Sequence, residues 1–125
     1  MIKIEEVINI HDILIDKFDG IHGIRDYNAL ESAINRPFMT FDLQELYPST
    51  TEKTTALIES LISNHPFIDG NKRIGYVLMR YFLLRYNFDI SATQVEKFEF
   101  VIEIAQGKSN FDRIKNWLSA RIKNL

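Results

Sequence analysis

The stretch Ile74-Gly75-Tyr76-Val77-Leu78-Met79-Arg80-Tyr81-Phe82-Leu83-Leu84 carries one charged residue, Arg80. A helix of this composition is apolar on nearly every face, so it belongs in the middle of a domain. The spacing predicts it over about 72–86, and the rest of the chain reads as further helices around it. Upstream, Ser49-Thr50-Thr51-Glu52 has capping-box spacing and opens a helix through Ala56, Leu57, Leu61 and Ile62 to Asn64. Ile4, Val7, Ile8, His11 and Ile15 share one face of a first helix ending near Phe18. Gly20 and Gly23 mark a turn, and Asp26 is placed to cap a short helix over 27–35 that Pro37 ends. Residues 37–48, with three aromatics and no clear period, are expected to form a packed loop. Downstream, Thr93-Gln94-Val95-Glu96 starts another helix, and Gly107 stops it. Ser109 is the expected cap of a last helix, with Phe111, Ile114, Leu118, Ile122 and Leu125 along one stripe. The expected fold is an all-α bundle, a single domain over residues 1–125, built around a central buried helix.

At 125 residues, with 46% hydrophobic and 26% charged residues, the chain has the make-up of an ordinary globular domain. About two-thirds of its unfolded surface can be buried at this size. The absence of cysteine excludes a disulfide scaffold, a thiol nucleophile and a sulfur-ligated zinc site. His11, His22 and His65 are too scattered for a histidine-rich metal centre. Glu5 and Glu6 interrupt the apolar run that a signal peptide needs, and no stretch of about eighteen apolar residues exists. The expected setting is the cytoplasm, with no membrane partner. A net charge of −2 argues against a nucleic-acid partner. The charge is uneven, however: residues 1–69 carry 5 basic and 12 acidic residues, whereas 70–125 carry 10 and 5. A patchy solvated surface explains this, and so does a second half that meets an anion.

Most of the chemistry is concentrated in His65-Pro66-Phe67-Ile68-Asp69-Gly70-Asn71-Lys72-Arg73. A glycine-containing polar loop here leads straight into the N-terminus of the apolar helix. Such an end presents free N–H groups and partial positive charge, a seat for phosphate. Gly70 lets the backbone curl, and Asn71 can cap the helix or donate to an anion. Lys72 and Arg73 add positive charge where the helix dipole is already positive, a conflict that an anion resolves. A neutral His65 imidazole can accept a proton from a hydroxyl, and Asp69 offers the hard oxygen that magnesium takes beside substrate phosphates. Taken singly, each residue has a plainer explanation: a loop histidine, an Asp-Gly-Asn turn, two solvated cations. Together at one helix start they describe phosphoryl or nucleotidyl transfer.

These nine residues resemble the signature of the Fic/Doc superfamily, His-x-Phe-x-(Asp/Glu)-(Gly/Ala)-Asn-(Gly/Lys)-Arg. Weaker similarity runs through Ile10-His11-Asp12, Gly23-Ile24-Arg25-Asp26, Arg36-Pro37, Gly107 and Trp117-Leu118. The layout and length are similar to the death-on-curing (Doc) branch, the toxins of toxin–antitoxin pairs. The resemblance implies catalytic roles for His65, Asp69 and Arg73. His65 would be the general base toward a target-protein hydroxyl and Asp69 the Mg²⁺ ligand. Gly70, Asn71 and Lys72 would line an anion hole, Arg73 would bind phosphate of ATP, and Phe67 would anchor the loop in the core. Lys72 and Tyr76 stand where the AMP-transferring pattern has glycine and a second arginine. Both point to the kinase-like Doc branch; Gly70 agrees with the Fic form. Phosphate transfer, AMP transfer and a non-catalytic nucleotide-binding or interaction module are the competing functions. Family precedent names a translation component such as elongation factor Tu as target, and an antitoxin protein as partner. The self-inhibited pattern of the family, Ser/Thr-x-x-x-Glu-(Gly/Asn), finds only Thr55 to Glu59, followed by Ser60, so no internal brake is expected.

Two histidines remain. His11 falls on the apolar face of the first helix and reads as a satisfied core residue. His11-Asp12 also matches an HD metal-hydrolase dyad, but no second pair stands at usable spacing. Beside His22, Arg25 and Asp26 are expected to form a salt bridge that pins the loop.

Overall fold

Side chains at the helix starts fix the boundaries of the computed structural model, which describes residues 1–125. Asp26 accepts from the Ala29 N–H, Ser49 from Glu52 and Thr93 from Glu96, in each case filling an orphan donor of the first turn. The helices are α1 Ile4–Lys17, α2 Tyr27–Asn35, α3 Thr50–Ser63, α4 Asn71–Arg85, α5 Gln94–Ala105 and α6 Phe111–Arg121. Asn110, not Ser109, caps α6, with its side chain accepting from the Arg113 N–H. The fold is all-α apart from two short antiparallel pairs: β1 Thr40–Phe41 with β2 Gln44–Glu45, and β3 Phe88–Ile90 with β4 Ile122–Asn124. No helix is long and apolar enough to cross a membrane.

Both strand pairs correct the reading of the sequence. The second helix ends at Asn35, as expected, but Pro37 then sits inside a 3-10 turn over Arg36–Phe38 and not in an irregular loop. The chain then makes a hairpin whose four strand residues are exposed. At the other end, Ile122 is already extended, so Ile122 and Leu125 leave the helical stripe. Ile122 pairs with Ile90 and Asn124 with Phe88. This pairing satisfies backbone groups of a strand that holds the buried Asp89, itself bonded to Arg80 at 3.1 and 3.2 Å.

Two apolar clusters meet along α3 and α4. One takes Leu57, Leu61, Ile74 and Leu78 from these helices and adds Val7, Leu30 and Phe67. The other takes Ile58, Ile62, Met79 and Leu83 and adds Phe100, Ile104, Ile114 and Leu118. The centre is therefore a pair of helices rather than α4 alone, and α3 is the more enclosed of the two. Its threonines hid this. Thr54 and Thr55 are fully buried, and their hydroxyls donate back to the Thr50 and Thr51 carbonyls at 2.7 and 2.8 Å, which removes most of the penalty for burying them.

Candidate active site

The loop between α3 and α4 carries the site, and its backbone is held at almost every residue. Asn64 is the C-cap of α3, and the next residue, His65, has φ 47°. Glycine ordinarily fills that left-handed position at a helix end. The Arg25 guanidinium reaches across and donates to the carbonyls of His65 and Asn64, both at 2.7 Å. The N–H groups of Arg25 and Asp26 donate to Pro66 O at 2.8 and 3.0 Å, and the Ile68 N–H donates to Gly23 O at 3.1 Å. The segment 20–26 thus laces onto 64–68 as a short antiparallel strap, with Ile24 bridged to Phe67.

Phe67 is buried and stacks on the buried His11 ring at 3.7 Å and 9°. His11 Nε2 lies 2.8 Å from Asp69 O, so Nε2 carries the proton and donates to that carbonyl. His11 is a satisfied core histidine, and it steadies the loop from beneath. The Asp69 carboxylate accepts from the Ile21 N–H at 3.0 Å and the Gly70 N–H at 2.8 Å. The Ile21 N–H, then that of Gly70, hold its pKa below the usual aspartate value, and the Arg73 charge adds to this. Gly20 permits the approach: a Cβ there would lie 2.9 Å from Asp69 Oδ2.

Two expectations for this loop are corrected. Arg25 and Asp26 make no salt bridge with one another; Arg25 serves the carbonyls of 64–65 and Asp26 caps α2. The Asn71 side chain does not cap α4, because it binds the Phe67 backbone. Its Oδ1 accepts the Phe67 N–H and its Nδ2 donates to Phe67 O, each at 2.9 Å. Gly70 is the residue before α4, left-handed at φ 77°, and its N–H is taken by Asp69.

What stays free is what a ligand needs. The first intrahelical bond of α4 runs from the Ile74 N–H to Gly70 O, leaving the N–H groups of Asn71, Lys72 and Arg73 without an acceptor. His65 and Lys72 are exposed, and the side chain of neither makes a hydrogen bond or ion pair. Arg73 has no carboxylate partner and rests over the Phe18 ring at 4.0 Å. A cavity of about 290 Å³ is lined solely by residues of segment 65–73, His65, Asp69, Lys72 and Arg73 among them. A second of similar volume shares Lys72 and Arg73 and extends to Tyr76, Lys97 and Phe98. No group of three His, Cys, Asp or Glu side chains is arranged to hold a metal ion by itself. Glu59 is bound to Arg36 at 2.8 Å.

Sequence reasoning missed the strap, the contact of Phe18 with Arg73, and Arg25 as the clamp on His65. The paired glycines at 20 and 23 were the signal of a close approach: a Cβ would meet the Ile15 and Asp69 side chains at 20 and the Ile68 side chain at 23.

A helical fold in which a histidine loop enters the N-terminus of a cationic helix defines a recognisable class. The Fic/DOC family model matches residues 1–83, and the chain belongs to that family. Members are in general ATP-using transferases. The chain is similar to Toxin Doc of Mycolicibacterium smegmatis, 32% identical over 103 residues that cover 78% of this chain and 76% of the relative.

Proposed function

We propose that residues 1–125 act as one Fic/Doc unit that transfers the terminal phosphate of ATP to a serine or threonine hydroxyl of a protein target. Its chief support is a juxtaposition: an unpartnered His65 faces the same cavity as three free N–H groups and the cations Lys72 and Arg73. His65 takes the hydroxyl proton as the oxygen attacks the γ-phosphorus. The new O–P bond forms, the bond to the β-phosphate oxygen breaks, and ADP leaves. The N–H groups of Asn71, Lys72 and Arg73, with the two side-chain charges, neutralise the oxygens that gain charge in transit. The second cavity, with Tyr76 and Phe98, offers aromatic walls to the nucleoside.

Asp69 fits Mg²⁺. Its carboxylate is held ionised, and each oxygen accepts one N–H and keeps a lone pair. A single protein carboxylate beside substrate phosphates is an ordinary magnesium arrangement. When bound, Mg²⁺ supplies charge neutralisation for the phosphates.

AMP transfer is the second reading, favoured by Gly70. Tyr76 favours phosphate, because it leaves the helix without the second arginine of the AMP-transferring pattern. The hairpin β1–β2 suits docking of the target chain, since Phe41 and Leu43 are 76% and 100% exposed on an open edge. Target and setting follow the family precedent: a translation component such as elongation factor Tu, in the cytoplasm. Inhibition by a separate antitoxin follows the same precedent, and it accords with Glu59, whose carboxylate is paired with Arg36 and not with Arg73. Incubation with lysate and ATP labelled at the α or γ position, followed by the mass added to the target, tests this. Phosphate on the target supports the reading, AMP selects the alternative, and no label with an intact fold leaves the binding module.

A further inference from the structure

We propose that Arg25 is a positioning residue for His65, acting through the backbone that carries the base; the inference rests on the transferase reading above. His65 occupies the left-handed region at φ 47° without the freedom of glycine, so the conformation is strained and persists only where its surroundings enforce it. Hydrogen bonds to the groups flanking that torsion come largely from one residue. Arg25 Nε holds the His65 carbonyl and Nη2 holds the Asn64 carbonyl, each at 2.7 Å, and the Arg25 N–H holds Pro66 O at 2.8 Å. Three consecutive carbonyls are gripped, on both sides of the strained residue. One of them, Asn64 O, is the C-cap carbonyl of α3.

The arrangement separates the base from the phosphate seat. Asn71, Asp69 and His11 hold the second half of the loop without help from Arg25. Loss of the guanidinium therefore releases His65 while the N–H groups of residues 71–73 stay in place. A planar fork meets two carbonyls at once, which a lysine ammonium does less well.

The test compares Arg25→Ala and Arg25→Lys with the parent chain in three measurements: ATP affinity, kcat and KM for transfer, and the His65 backbone couplings by NMR. In Arg25→Ala the rate should fall between about tenfold and a hundredfold, the order expected for a base displaced by about 1 Å. ATP affinity should change less than about twofold, the couplings should leave their left-handed values, and added guanidinium ion should restore part of the rate. Arg25→Lys should lie between. Wild-type kcat in a folded Arg25→Ala protein overturns the proposal. So does a loss of ATP affinity matching the loss of rate, since that is a merely structural role. Should the parent chain transfer nothing from ATP, the transferase reading fails. The NMR arm still decides whether Arg25 sets the conformation of His65, and unchanged couplings there refute it.

Discussion

The α3–α4 loop and the tip of the β1–β2 hairpin both bend through left-handed backbone at residues other than glycine. His65 does so at φ 47°, Asp42 and Leu43 at φ 51° and 64°. The resemblance ends there. Around His65 the carbonyls of residues 64–66 are all engaged, and Phe67 beneath is stacked and buried. At the hairpin tip Leu43 is fully exposed, and the turn is held from its base, by the two-residue strands, the Leu46 N–H bond to Met39 O and the Lys53–Glu45 pair. Strain that is braced from every side places a side chain, whereas strain left open to solvent marks a surface element. The first arrangement suits chemistry, which tolerates little misplacement. The second suits contact with another chain.

The comparison is broken most directly at its braced side. His65→Ala should lower transfer by about 10²–10⁴-fold, the usual contribution of a general base, with the melting temperature little changed. His65→Gly should be equally inactive yet at least as stable as the parent, because glycine relieves the left-handed strain. A glycine variant that melts well below the parent would show that the loop is not strained.

Phe67→Ala removes the support under that loop. It should cost about 3–5 kcal/mol in chemical denaturation, as loss of a buried aromatic side chain does. A cost under about 1 kcal/mol would mean the loop does not depend on its anchor.

Leu43→Gly makes the corresponding change on the open side. It should gain up to about 1 kcal/mol in stability from the same relief of strain. ATP affinity should be unaffected and KM for the protein target should rise. Equal effects on ATP and target would remove the distinction between the two regions.

The smallest effect lies where α1 meets the strap. His22 stands between Asp12 and Asp16 at 3.1 and 2.6 Å, and hydrogen bonds to Asp12 and then Asp16 raise its pKa. Its contribution is complete below the ordinary histidine value and is lost as pH rises through the raised one. Asp69 has the opposite sign: its contribution holds above the ordinary aspartate value and is lost as pH falls through the lowered one. His22→Gln should therefore lower the melting temperature slightly below about pH 6.5 and not at alkaline pH. A pH-independent difference would show that the imidazolium contributes nothing.

Local chemistry made most of the fold and the candidate site legible. Helix periodicity, the caps at Asp26, Ser49 and Thr93, and the nine residues from His65 to Arg73 depend on neighbours a few positions apart, and so can be read from one chain. The sequence by itself determined the all-α class, the Fic/Doc motif and the free helix end behind it. Only the tertiary structure decided the rest. Whether Arg25 meets Asp26 or the carbonyls 40 residues away depends on which surface the strap lies against. The Asn71 side chain went to Phe67 because the curl at Gly70 brings that backbone within reach. Ile122 became a strand because β3 lay alongside with unpaired backbone groups. Each outcome is a choice among partners that local chemistry allows equally, and it falls to whichever one packing brings within hydrogen-bond range.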